Sequence, residues 1–216
     1  FIARVASGVA RRVPEDAERR LSSTLSDLAN SSEKLHANAQ GLLQWIKRQD
    51  GRIELRPRNV VVHLLVGEVF AREHERAADS TVRLVNAVPV DDTIRTDPNV
   101  LAIILNNAVA NAVTHSAAST ISLFGESRGE GYRIIVQDDG IGMPGPVLRH
   151  AKRVQAQGAL GAMDHEGERD VQGLGLLIMA DLMQLLGGQL AVESAEGMGT
   201  RIILDLPQDG FPVPRS

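Results

Sequence analysis

From residue 15 to residue 49 the apolar positions recur in steps of four and three. Leu21, Leu25, Leu28, Leu35, Ala39, Leu42 and Ile46 carry the pattern, with Ser32 filling the gap. This is a heptad seam, on a helix that would run roughly 50 Å at about 1.5 Å per residue. Pro14 suits a first helical position, and Glu15, Asp16 and Glu18 suit the positive end of the helix dipole. A helix this long cannot bury its stripe against itself. It packs either on the following domain or in a dimeric bundle, and the length of the seam favours the bundle.

Asp50-Gly51 ends that helix and Arg56-Pro57-Arg58 marks a connector. Beyond it the period alternates. The pattern predicts a helix over 59–77, a strand over 81–90, and a helix over 97–115 opened by Asp97-Pro98. Strands over 119–124 and 132–137 follow. A segment rich in glycine, charge and histidine spans 140–172. The chain closes with a helix over 174–186 and two strands, 189–194 and 200–206, that form a hairpin. Helices interleaved with such a sheet predict an α/β sandwich with one helical face. The predicted division is a helical region over 1–50, a domain over 51–210 and a tail over 211–216, with no internal repeat.

Composition narrows the function. The 216 residues are 43% hydrophobic and 23% charged, which is a globular balance. A formal net charge of −4 supplies no broad basic field, so nucleic acid is not an expected partner. The absence of cysteine removes disulfides, zinc–thiolate sites and thiol nucleophiles. The longest apolar stretch, 174–192, contains Asp181, Gln184 and Gln189, so it reads as a buried helix and not as a membrane span. The amino end lacks the apolar core of a signal peptide. A cytoplasmic chain, or the cytoplasmic part of a longer one, is expected.

Four short motifs carry candidate chemistry. In LAIILNNAVANAVTHS, the residues Leu101, Ile104, Leu105, Ala108 and Ala112 form an apolar stripe, with Asn107 and Asn111 four apart and assigned to the opposite side. Asparagine is a mediocre helix former. The pair is either merely exposed or presents amide oxygens to a hard cation such as Mg²⁺. In IIVQDDGIGMP an apolar strand ends at Asp138, and Gly140 and Gly142 follow. This is either an ordinary Asp-Gly turn or a carboxylate placed to accept from an exocyclic amine, with glycines admitting a flat ligand. VQGLGLLIMADLM sets Gly173, Leu174 and Gly175 at a helix start, where free N–H groups favour phosphate. GMGTRIILDLP turns through Gly199 and Thr200 into the last strand.

As a set, in this order, the motifs resemble the GHKL ATPase superfamily, and within it the catalytic region of bacterial sensor histidine kinases. NNAVANAVTHS is similar to the asparagine box, DDGIGM to the first glycine box, GLGL to the second, and GGQLAVESAEGMGTRIILDLP to the carboxyl-terminal hairpin. The resemblance implies a Bergerat-type α/β sandwich with a mixed sheet, preceded by a helical dimerisation segment. It implies ATP and Mg²⁺ as cofactors, Asn111 coordinating the metal, and Asn107 supporting the metal–phosphate cluster. Asp138 would bind the adenine amino group, Gly140 and Gly142 would shape the base pocket, and Thr200 would close its back. Backbone at Gly173, Leu174 and Gly175 would meet the phosphates, under a mobile lid over 144–172. The implied reaction passes the γ-phosphoryl group to a histidine and on to a response regulator, in a homodimer held by the helical region.

Four departures from that pattern matter. Thr114 stands where the family carries a lysine, and a charged hydrogen bond to phosphate contributes about 1.5–3 kcal/mol. Arg149, Lys152, Arg153 and His115 are candidates to replace it. The lid has no phenylalanine, and Val171 stands at the first glycine of the second box. Ser7 occupies the position expected for the phosphoacceptor histidine, and no histidine precedes His36. Serine without a nearby base is a poor nucleophile. These departures keep a second reading open: a nucleotide-binding pseudokinase that regulates a phosphorelay through a response regulator or phosphotransfer protein.

Overall fold

A computed structural model describes residues 55–76, 82–162 and 174–207. They lie in one of the chain's two units, Gly41–Ser216, and only that unit is described. The heptad seam, Ser7, His36, Val171 and Gly173 fall outside the described residues.

The chain enters through a short strand β1 (Arg58–Val61), which pairs antiparallel with β3 (Thr93–Thr96). Helix α1 (Val62–Arg76) follows β1 directly, and the Val62 N–H donates to Asp92 O at 2.9 Å. The sequence pattern began this helix at 59 and missed β3. Val60 and Val61 are β-branched, and the backbone groups of this strand find partners in Thr93–Thr96 instead of in a helical turn.

The main sheet has the order β2-β4-β5-β7-β6, formed by Arg83–Ala87, Thr120–Arg128, Gly131–Asp138, Thr200–Pro207 and Gln189–Ser194. β2 runs parallel to β4, and the other pairs are antiparallel, so the sheet is mixed as expected. Ile121, Leu123, Ile134, Val136, Ile202 and Leu204 alternate onto one face and bury there against the helices. Helix α2 (Pro98–His115) and helix α4 (Leu174–Leu185) pack on each other and on this core through Leu101, Ile104, Leu105, Met179, Leu182 and Met183.

Both ends of α2 are fixed by side chains. The Asp97 carboxylate accepts from Asn99 N at 2.9 Å and Val100 N at 3.2 Å, while its other oxygen accepts from Arg56 N at 2.8 Å. At the far end the Ser116 hydroxyl donates to Ala112 O at 2.6 Å and accepts from Ala118 N at 3.1 Å. The asparagine-bearing turns therefore have a set position against the sheet.

The segment expected to be a mobile lid begins as a helix, α3 (Gly145–Ala162). Its glycines and charges mask an apolar face that includes the buried Ala151 and Val154. Lys152 Nζ donates to Val192 O at 2.6 Å, and Gln155 Oε1 accepts from Val192 N at 3.2 Å. Through these bonds α3 is tied to strand β6.

Candidate functional site

A cleft of about 250 Å³ opens between the sheet, α2, α3 and α4. Its floor is the end of β5. Strand register sets Asp138 between Ile121 on one side and Thr200 on the other, with Ser194 next in the row. Asp138 is only 5% exposed. Burial pushes its carboxyl above the ordinary value and the nearby Asp139 charge adds to this, while N–H groups of Gly140 and Thr200 oppose it. The Gly140 N–H donates to Asp138 Oδ1 at 3.0 Å. A buried carboxylate at the floor of a mainly apolar cleft can accept a hydrogen bond from an amine-bearing flat ring.

The turn after Asp138 is fixed from every side. Asp139 accepts from Ser119 Oγ at 2.6 Å, Ser119 N at 2.8 Å and Thr120 N at 2.9 Å, bonds that lower its pKa. Ile141 N donates to Ser116 O at 2.7 Å, and Gly197 N to Ile141 O at 2.8 Å. Ser194 Oγ accepts from Met143 N at 2.8 Å and lies 3.0 Å from Thr200 Oγ1. Ser194 thus joins the first glycine turn to the hairpin. It was not singled out from sequence, although its register opposite Thr200 in the hairpin was a usable signal.

The glycines of this turn serve close backbone packing. A Cβ on Gly140 would overlap Ser116 O, and one on Gly142 (φ +73°) would overlap Ala195 O. Gly142 lines the cleft with Thr200, whereas Gly140 sits behind its wall.

At the other end, Asn107 and Asn111 are half-buried and not opposite the apolar stripe. Steps of four residues keep them beside Ile104, Ala108 and Ala112 on the flank of α2. Asn111 lines the cleft. Asn107 Nδ2 donates to Ile103 O at 2.9 Å, which turns its Oδ1 toward the start of α4. A methyl at Gly175 would lie 3.3 Å from Asn111 Nδ2 and 3.5 Å from Asn107 Oδ1. The asparagine box and the second glycine box, sixty-odd residues apart in sequence, therefore meet. Two amide oxygens suit a hard cation that completes its shell with water and phosphate oxygen, so this donor set fits Mg²⁺.

Among the described residues no lysine or arginine lines the cleft. Thr114 is exposed outside it, and Lys152 is committed to β6. His115 and His150 do line it. His150 went unnoticed in the sequence; it follows Val147 by three positions, one turn along the cleft-facing side of α3.

A mixed sheet with helices on one face, a strand-end carboxylate under the cleft and an asparagine pair at its edge defines an ATPase domain of the GHKL type. Residues 96–210 match the family described as histidine kinase-, DNA gyrase B-, and HSP90-like ATPase, and the chain belongs to that family. Its relatives within it are sensor histidine kinases. The chain is 32% identical over 139 residues to the sensor-type histidine kinase PrrB of Mycobacterium tuberculosis, a match covering 62% of this chain and 30% of that protein. The ATP-binding domain of the Mycobacterium tuberculosis PrrB superposes with a TM-score of 0.54 at 24% identity, covering 70% of this chain and 97% of that one. Full-length ShkA, solved in complex with AMPPNP, superposes with a TM-score of 0.65 at 25% identity, covering 92% of this chain and 41% of that one. The chain thus spans less than a third of the curated relative's length.

Proposed function

We propose that this chain is the ATP-binding kinase region of a bacterial two-component sensor histidine kinase, acting on the cytoplasmic side. The observation that carries this reading is that Asp138, Asn111 and Leu176, from three separate stretches of sequence, line one cleft, with Gly175 adjoining the Asn111 side chain. Asp138 accepts the adenine amino group, and Thr200 and Gly142 close the base pocket. Asn107 and Asn111 hold Mg²⁺, which when bound neutralises charge on the triphosphate. The first N–H groups of α4 face the phosphates. Catalysis by such a site is positioning plus electrostatic stabilisation, directed at a histidine acceptor and then at a response regulator. The heptad seam supports a homodimer. Calorimetry with a non-hydrolysable ATP analogue and Mg²⁺ tests the reading, and no saturable binding would reject it.

A second reading is favoured by specific features. Ser7 stands at the expected acceptor, and among the described residues no lysine or arginine lines the cleft. In this reading the chain binds nucleotide and regulates a phosphorelay through a response regulator or phosphotransfer protein without labelling itself. Incubation with γ-labelled ATP separates the two: robust acid-labile phosphate on the chain, lost on replacing His36, supports the self-labelling kinase.

A further inference from the structure

We propose that His150 contacts the bound nucleotide, its Nε2 hydrogen-bonding to an acceptor on the adenine nucleotide from the α3 side of the cleft. This rests on the nucleotide-binding reading above and adds a residue to it. His150 lines the cleft one turn after Val147, which lines it too. Its Nε2 is buried and has no hydrogen-bond partner among the described residues. Buried polar atoms are ordinarily paired, so an unpaired one on a residue that lines a cavity marks a missing partner, which a turn of the ring brings within reach.

The hydroxyls of Ser116 and Thr200, which also line the cleft, are engaged elsewhere. Ser116 Oγ is committed to Ala112 O and Ala118 N, and Thr200 Oγ1 lies against Ser194 Oγ. Lys152, two residues on, is turned to the β6 edge, and Arg149, one residue before, is exposed. An imidazole N–H in this place gives the cleft a donor on its α3 wall, where Arg149 and Lys152 do not line it. The acceptor it meets is a ring nitrogen, a ribose oxygen or a phosphate oxygen.

The test is calorimetry of the unmodified chain, His150→Phe and His150→Gln with ADP and Mg²⁺, repeated with adenosine. Phenylalanine keeps a flat ring and removes the nitrogen. His150→Phe should weaken ADP binding about five- to tenfold, and glutamine, which retains a donor, should recover part of the loss. Loss shared by adenosine locates the acceptor on the nucleoside, and loss confined to ADP locates it on phosphate. In parallel, the ¹⁵N resonance of His150 Nε2 in the unmodified chain should move on ADP addition. Unchanged ADP affinity in His150→Phe with an unmoved resonance overturns the proposal and leaves the nucleotide site standing. Absence of ADP binding by the unmodified chain overturns both.

Discussion

The two ends of the cleft are built by different means. The floor around Asp138 is made of adjacent strands and a turn in which side chains and backbone are tied repeatedly: Asp139 to the start of β4, Ser194 to Met143 and Thr200, Ile141 to Ser116. The far end is made where two helices meet, and its chemistry rests on two amides and one glycine. Strand register leaves the floor no freedom, because a one-residue slip would turn Asp138 to the other face. Helix flanks tolerate small shifts. The floor should therefore respond to substitution as an all-or-none unit, and the far end by degrees.

The largest effect should come from the tightest point of the floor. Gly199 has φ +74°, and a Cβ there would overlap the carbonyl oxygen of Asp138. Gly199→Val combines left-handed backbone strain with a steric clash and should lose about 2–5 kcal/mol of stability. Urea denaturation measures it, and a midpoint close to that of the unmodified chain would show the floor to be softer than argued.

Next is Asp138→Asn, which replaces an acceptor with an amide donor at the proposed base site. ATP affinity should fall about 10- to 100-fold by calorimetry, corresponding to about 1.4–2.8 kcal/mol. The same substitution should not weaken the unliganded fold. Burial raises this carboxyl above its ordinary value near 3.8, so folding favours the protonated acid. The stability tied to that preference is complete below the unfolded value and is lost as pH rises through the raised one. Asparagine does not titrate, so the variant's urea midpoint should match or exceed that of the unmodified chain at neutral pH, and the gap should close below about pH 4. A lower midpoint at neutral pH would contradict this.

A graded response is expected at the far end. Asn111→Ala should weaken ATP binding roughly tenfold with Mg²⁺ present and much less with chelator, while Asn107→Ala, whose amide also serves Ile103 O, should cost about threefold. Equal losses with and without Mg²⁺ would remove the metal role. The smallest effect belongs to α3: Lys152→Met should reduce stability by about 0.5–1.5 kcal/mol and leave ATP affinity unchanged, since the ammonium bonds to Val192 O and not to the cleft.

The contrast also explains what could be read from the sequence. Asp138, Gly142, Thr200 and Asn111 were legible because glycines at a strand end and asparagines four apart are local patterns, and the strands of the floor alternate plainly. The β1–β3 pair was not legible: four-residue strands carry too little periodicity, and their partners lie more than thirty residues apart. Helix α3 was hidden because its glycines and charges dilute the apolar face that Ala151 and Val154 bury. His150 looked like one more polar residue of a lid. What distinguishes it, a buried unpaired nitrogen on a residue that lines a cavity, exists only once α3 is packed on the sheet. Asn107 and Asn111 were set on the wrong side of α2 because the stripe was drawn too narrowly; the flank of a helix is neither core nor solvent.

The bonds from Lys152 and Gln155 to Val192 have a consequence for assembly. β6 is an edge strand, and Val192 would otherwise present a bare carbonyl and N–H to any passing chain. Two side chains from one helix occupy both groups, so an added strand cannot pair at Val192 while α3 is seated. Lifting α3 would bare the sheet to strand addition, making this short contact a guard against edge-to-edge aggregation.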